Sequence, residues 1–335
     1  MAIKIEYDRI CIGSFVLCED VNGVAFTGKA CANQFCDPRK LTFQGVVSGY
    51  SSGGDAVPGT NIIDKFSFLS DAPATDVGDL SQGRRDVVGQ SSLICGYTSG
   101  GRSPSPNAFC NRIDKFPFAS DTNATTVGVL SVVRGRGAGQ SSCAHGYTSG
   151  GTGCSPVGGL RNEIDKFPFS SDTNASDVGD ITIARENIAG QSSTISGYSS
   201  GGGAGPGFVD TIDKFPFAAD SNATDVGELS QTRCGNAGQS SIESGYTSGG
   251  FVPAETDTVD KFPFSSDASA TDVGELSEVR QLAAGQSSIA NGYTSGGFIP
   301  FIADTIDKFP FSSDASATDV GELSCRRVSL AGQQA

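Results

Sequence analysis

One phrase of residues is written six times along this chain, and a repeat of that length dictates architecture before any single residue does. The copies read I-D-K-F-P-F, D-V-G-E-L-S, R, A-G-Q-S-S and G-Y-T-S-G-G, with small departures. The first element begins at Ile63, Ile113, Ile164, Ile212, Val259 and Ile306, so the periods are 50, 51, 48, 47 and 47 residues. Units of this size bury their cores only against their neighbours, and a period near 47 signals a repeat architecture.

The fifth period shows what one unit must be. Ala284-Gly285-Gln286-Ser287-Ser288 is followed by Asn291-Gly292, which reads as a hairpin turn. Tyr293-Thr294-Ser295-Gly296-Gly297, the run Thr305–Phe311 and Asp319–Ser324 follow, separated by turn-rich stretches. Four short extended segments without a helical period predict a four-stranded antiparallel unit, the content of a propeller blade. Strands converge at a propeller axis, so the small residues of A-G-Q-S-S belong innermost. That places one glutamine per blade there: Gln90, Gln140, Gln191, Gln239, Gln286 and Gln333. Alternation puts Phe309 and Phe311 on one face of the third strand and Ile306 on the other. The proline between the phenylalanines suits an outer strand, where a missing amide donor costs least.

This order of elements resembles the kelch repeat. Its glycine doublets are Gly53-Gly54, Gly100-Gly101, Gly150-Gly151, Gly201-Gly202, Gly249-Gly250 and Gly296-Gly297, and its arginines are Arg84, Arg134, Arg185, Arg233, Arg280 and Arg327. The kelch tryptophan is missing throughout, so Val or Leu must fill its place. The wording of the repeat is also similar to repeats in virion proteins of tailed bacteriophages, cyanophages especially. The resemblance implies an all-β, six-bladed, kelch-like β-propeller over residues 41–335, with four antiparallel strands per blade. The final Ala331-Gly332-Gln333-Gln334-Ala335 is an innermost-strand motif with no second strand after it, so it should complete the first blade and close the ring. Residues 1–40 lack the repeat and form a short N-terminal extension.

Charge and hydropathy exclude several roles. The net charge is −14, and residues 1–40 are neutral, so the whole excess lies on the repeats. That argues against nucleic-acid partners, which are held by clustered Lys and Arg. No apolar run is long enough to cross a membrane as a helix. Met1 to Ile10 carries charges where a signal peptide needs an apolar stretch. The expectation is synthesis in a host cytoplasm and incorporation into a virion, with a cytoplasmic location as the alternative.

Residue types able to carry chemistry recur too often to be catalytic. Asp64, Asp114, Asp165, Asp213, Asp260 and Asp307 occur once per blade, as do the six arginines. A group needed once for chemistry would not appear six times, whereas a group joining blades would. Both sets therefore read as structural Asp–Arg or Asp–Lys pairing. His145, the single histidine, stands at a turn filled elsewhere by Ser196, Ser244 and Asn291. The Ser-Ser-Asp turns are too sparsely acidic for a full calcium loop, and Asn123, Asn174 and Asn222 match glycosylation acceptors within those same turns. Without tryptophan the chain lacks the Asp-box ending of sialidase propellers. Cys11, Cys18, Cys31 and Cys36 lie in the extension, where disulfides, free thiols and zinc all remain open; in the ring, Cys95, Cys110, Cys143, Cys154, Cys234 and Cys325 are blade-specific additions. No cofactor, metal or catalytic residue is expected.

Variation is confined to one connection. Between each doublet and the next I-D-K-F lie 8, 11, 12, 9, 8 and 8 residues, which account for all the variation in period. Loops of this kind on a rigid frame are where binding concentrates. In the last three blades they carry Phe208, Val209, Phe251, Val252, Phe298, Ile299, Phe301 and Ile302, an unusual density of apolar side chains for loops. These should merge into one exposed patch, a sign of protein contact. The expected function is a non-enzymatic binding or structural protein, a tail, fibre or capsid-decorating propeller mediating attachment or assembly. Its partners would be other proteins of a larger assembly, reached through residues 1–40 and the variable loops, with a cell-surface glycan as a further candidate. The alternatives are a carbohydrate-active propeller enzyme and an intracellular kelch-type adaptor.

Overall fold

A computed structural model describes the backbone of residues 3–6, 9–12, 15–20 and 23–27, and residues 44–56, 60–153, 159–205 and 207–335 in full. The chain divides into two units, Met1–Leu41 and Thr42–Ala335. In the first, strands Ile3–Glu6, Arg9–Ile12, Phe15–Asp20 and Gly23–Thr27 form an antiparallel meander in sequence order. The apolar run from Ile10 to Leu17, which reads from sequence as a single strand available to a partner, is folded on itself, with Ile10 opposite Leu17 and Cys11 opposite Val16.

The second unit is a six-bladed β-propeller. In the sixth blade Ala284–Ser287, Asn291–Ser295, Thr305–Pro310 and Thr318–Glu322 pair antiparallel in that order. The other blades repeat the pattern. The first is completed from the far end of the chain: Ala331–Gln334 pairs with Ser48–Ser52, which pairs with Ile62–Ser67 and then Thr75–Asp79.

Each fixed letter of the repeat answers to a contact with the next blade. The inner-strand glycines Gly89, Gly139, Gly190, Gly238, Gly285 and Gly332 lie in turn against one another's carbonyl oxygens around the axis. A Cβ at any of them would overlap the oxygen of the glycine one blade back. The glutamine beside each glycine reaches across an interface: Gln140 Nε2 donates to the Tyr198 carbonyl at 2.8 Å and to Ser199 Oγ at 3.0 Å. The last two close the circle, Gln286 onto Tyr50 and Gln333 onto Tyr97. The glutamines therefore do not present a polar ring to the channel, as their inner-strand position had suggested. They are buried between blades, and glycines and serines line the channel instead. Further out, the tyrosine of one blade stacks on the last phenylalanine of the next, as in Tyr198–Phe264 at 4.8 Å, while Phe262 tilts against the same ring at 5.5 Å.

Two other sequence expectations need correction. Asn291 and Gly292 lie within the second strand, not in the hairpin turn; the turn is made at Ile289-Ala290, and Ser288 Oγ on its near side accepts from the amide of Asn291 at 2.9 Å. Glycine is fixed at 292 because the Phe309 ring covers its Cα and leaves no room for a Cβ. The proline-bearing strand is the third of four, as read from the sequence, but it is not the outermost. Fourth-strand pairing stops at Lys115, two residues short of Pro117, and the neighbouring Phe118 amide bonds the opposite way, to Ile94. Pro117 thus faces a vacant ladder position and forfeits no hydrogen bond.

Among the described residues, the most buried charges join successive blades. Arg185, in the linker between the third and fourth blades, donates Nη1 to Asp213 Oδ2 at 2.8 Å, with both side chains wholly inaccessible. Asp213 also accepts from the Thr182 amide and hydroxyl, and Arg185 reaches the carbonyls of Ser199 and Gly201. Equivalent pairs are Arg84–Asp114, Arg134–Asp165, Arg233–Asp260, Arg280–Asp307 and, across the closure, Arg327–Asp64 at 2.6 Å. Burial pulls the Arg185 pKa below its ordinary range even beside Asp213. A second set lies at the surface: Lys166 reaches Asp220 of the following blade at 2.8 Å, and Lys308 reaches Asp71 across the closure. Removing one partner of a buried pair strands the other without solvent. Arg185→Met should therefore lower unfolding stability by about 3–5 kcal/mol. Lys166→Met, which breaks an exposed pair, should cost less than about 1 kcal/mol. Urea midpoints of the two variants decide the ranking, and equal losses would refute it.

Candidate functional site: the variable face of the ring

Antiparallel strands send the second-to-third loops and the linkers between blades to one end of the ring, and the structure joins them there. Single bridges pair loop with linker at Arg102–Arg85, Thr152–Gly135, Gly203–Glu186, Phe251–Cys234, Phe298–Gln281 and Asp55–Val328. The insertions extend the frame instead of hanging free. In the second blade Arg102–Pro104 and Asn107–Phe109 form a hairpin; in the fourth, Ser196–Ala204 and Gly207–Pro216 run on as one long ladder.

Inside the linkers lies a feature hidden from sequence reasoning. The residue three places before each axial glycine has a left-handed backbone: Asp86, Arg136, Asn187, Gly235, Leu282 and Ser329, with φ between 54° and 69°. Their backbones form a closed circle, each amide donating to the carbonyl of its predecessor: Arg136 to Asp86, Asn187 to Arg136, and round to Asp86 on Ser329 at 2.9 Å. The side chains differ in every blade. They surround an axial depression that opens to solvent. The signal was present as six different residues between a constant arginine two places before and a constant glycine three places after, but nothing in the sequence tells that this position turns toward the axis.

One side of the mouth is charged. Arg85 Nη1 pairs with Asp55 at 2.6 Å, and its Nε lies 3.9 Å from Asp86 Oδ2. Arg136 Nε lies 3.3 Å from Asp86 Oδ1, and its Nη1 meets Glu186 Oε2 at 3.3 Å. Burial opposes charge on Arg136, but Asp86 and Glu186 more than offset it, and its pKa rises. The other side, over the fifth and sixth blades, is apolar.

The sequence-predicted patch residues fall around that apolar side. Phe208 and Phe251 meet edge to face at 5.7 Å across two blades. Val209 and Val252 are half-buried in paired strands. Phe298 bridges Ile302 and, with Ile299, is partly covered, whereas Phe301 is 76 % exposed. The predicted Asp and Arg residues lie elsewhere, in the buried pairs described above.

Other candidates resolve into local roles. Asn123, Asn174 and Asn222 accept from the amides of Asp79, Val129 and Asp180 of the preceding blade, so their turns are fastened between blades. The Ser-Ser-Asp carboxylates meet lysines, as Asp267 does Lys214. Cys95, Cys110, Cys234 and Cys325 are free and Cys143 is disulfide-bonded; Cys154, Cys31 and Cys36 lie outside the described residues. Burial, with Glu186 nearby, pushes the Cys234 thiol up to about 11, far from a reactive thiolate. The opposite face carries an apolar crown that sequence reading missed: hairpin tips expose Leu93, Ile94, Ile195, Ile242 and Ile289. Comparison of the chain with known protein families and with curated proteins finds no match.

His145 opens the second strand of the third blade, its amide bound to Ser142 Oγ at 2.9 Å and its ring edge-on to Tyr147. Burial, and then Lys166, hold its pKa below the ordinary 6.5. The unfolded chain then binds the proton more readily than the folded one. The His145 contribution is complete above pH 6.5 and declines as pH falls through and below it. His145→Asn, the residue at the equivalent sixth-blade position, should flatten the stability–pH curve as pH falls below 6.5 (about one titrating group). An unchanged slope would disprove the shift.

Proposed function

We propose that this propeller is a non-enzymatic binding and assembly module, a virion-associated component that attaches through its variable face. The observation that carries the reading is a separation of roles. The residues that recur six times are consumed by blade-to-blade contacts, while blade-specific side chains gather at one end of the ring. The likeness of the repeat to those of phage virion proteins supports the finer part, and the acidic frame suits a soluble particle component. The apolar sector of Phe208, Phe251 and Phe301 is the docking surface for a protein of the same assembly. The fused four-stranded meander of residues 3–27 is proposed as the tether, and synthesis in a host cytoplasm goes with it.

Phe301→Ser and Phe208→Ser alter exposed rings and should leave the melting temperature of the protein nearly unchanged, since surface substitutions usually shift stability by less than about 0.5 kcal/mol. The double variant should fail to co-sediment with the native assembly. Normal co-sedimentation would refute docking at this sector, and a large fall in melting temperature would assign the rings to the core. Turnover of a polysaccharide abolished by one carboxylate substitution would instead establish the carbohydrate-active alternative.

A further inference from the structure

Taking the variable face as a binding surface, its centre presents different chemistry from its apolar sector. We propose that the axial depression binds one residue of a neutral sugar, held by Asp86, Arg136 and Asn187 on one side and Leu282 on the other.

The argument begins at Asp86. Its side chain is 3 % exposed, yet Oδ2 accepts no hydrogen bond among the described residues and has only Arg85 Nε, 3.9 Å away. That oxygen has unused acceptor capacity, and because Asp86 lines the depression, a small turn of the carboxylate would offer it to a ligand hydroxyl. Beside it, Arg85 and Arg136 each engage carboxylates on one edge and remain about one-third exposed, 31 % and 34 %, so their outward N–H groups call for acceptors. A ligand that donates and accepts from adjacent atoms meets both demands, and vicinal hydroxyls do so. Charge selects against ionic ligands. The arc Asp55–Arg85–Asp86–Arg136–Glu186 alternates in sign, so an added anion or cation would meet a like charge beside every opposite one. Across the mouth Leu282 supplies an apolar wall, with Phe251 and Phe298 further out, suited to the C–H face of a pyranose.

The backbone gives this arrangement a second reason. Left-handed φ is free of penalty only for glycine and mild for Asn and Asp, yet Arg136, Leu282 and Ser329 also adopt it. Gly235 shows that the ring of amides closes without a side chain. Side chains at the strained positions are thus not needed for closure, and their differing chemistry is what the depression offers a ligand.

Saturation-transfer NMR on the full-length protein with glucose, galactose, mannose, rhamnose and N-acetylglucosamine, and with phosphate and butylamine as charged probes, tests the proposal. At least one neutral sugar should bind. Asp86→Asn, near-isosteric and tolerant of the left-handed backbone, should weaken it about tenfold or more. Leu282→Asn should also weaken it while holding or raising the melting temperature, because asparagine relieves backbone strain as the apolar wall is lost, an outcome a purely structural leucine would not give. Phe301→Ser should leave sugar affinity unchanged, so loss of assembly with sugar binding intact separates the failure of this inference from that of the docking sector. Binding by none of the five sugars, preference for a charged probe, or affinity that survives both axial substitutions would overturn it.

Discussion

In every blade a carboxylate with no access to water stands in the third strand, and the arginine that neutralises it arrives from the linker before that blade. Neither charge could remain there alone, because an unpaired buried ion costs several kcal/mol. The pair therefore fixes where the linker must cross, and the linker in turn fixes the register of the inner strand that follows it. The serine or threonine hydroxyl that also binds the aspartate, as Thr182 binds Asp213, pins the same crossing at a second point. Packing between blades rests on this placement: the Tyr198–Phe262–Phe264 trio and the Gln140 bridge meet only when adjacent blades sit at one angle. Six equal angles close a ring, and the final pair, Arg327–Asp64, joins residues 263 apart in sequence.

Much of this was legible because repetition converts a local pattern into a global one. The innermost position of A-G-Q-S-S followed from side-chain size, and the shared face of Phe309 and Phe311 from alternation; both phenylalanines touch Tyr246. What failed were inferences from a residue's usual habit. Asn291-Gly292 has turn chemistry, but a ring from the same blade claims the space over Gly292. Pro117 looked like an edge residue, but a fourth strand two residues short serves it equally well. Glutamine at the inner strand suggested a polar channel, yet its side chain lies between blades, and its amide donates to a carbonyl of the neighbouring one. The axial mouth was illegible for a different reason. A left-handed arginine or leucine has no sequence signature, and the circle of amides that enforces it exists only when all six linkers are in place.

The face opposite the crown is thus asymmetric on a nearly symmetric support. Lengthening a loop between the second and third strands adds rungs to a ladder that already exists, as Ser196–Ala204 and Gly207–Pro216 show, and leaves the pairs beneath undisturbed. Charged side chains accumulated over the second to fourth blades and apolar ones over the fourth to sixth. Frame and variable surface are built from different letters of the repeat, so one can change without the other.

The closure by Ala331–Gln334 has a kinetic side. Contacts such as Gln333 with Tyr97 span 236 residues and cannot form until the whole array has been made. Until then the strand Ser48–Ser52 lacks its inner neighbour, and an unpaired edge of hydroxyl-rich backbone is open to any extended segment nearby. Non-local closure is the slow kind of step in folding, and it comes last here. The time spent as an open arc, more than the stability of the finished ring, then sets how readily copies exchange strands at high expression, and a chaperone that shields that one edge would act on the interval in which the molecule is most exposed to error.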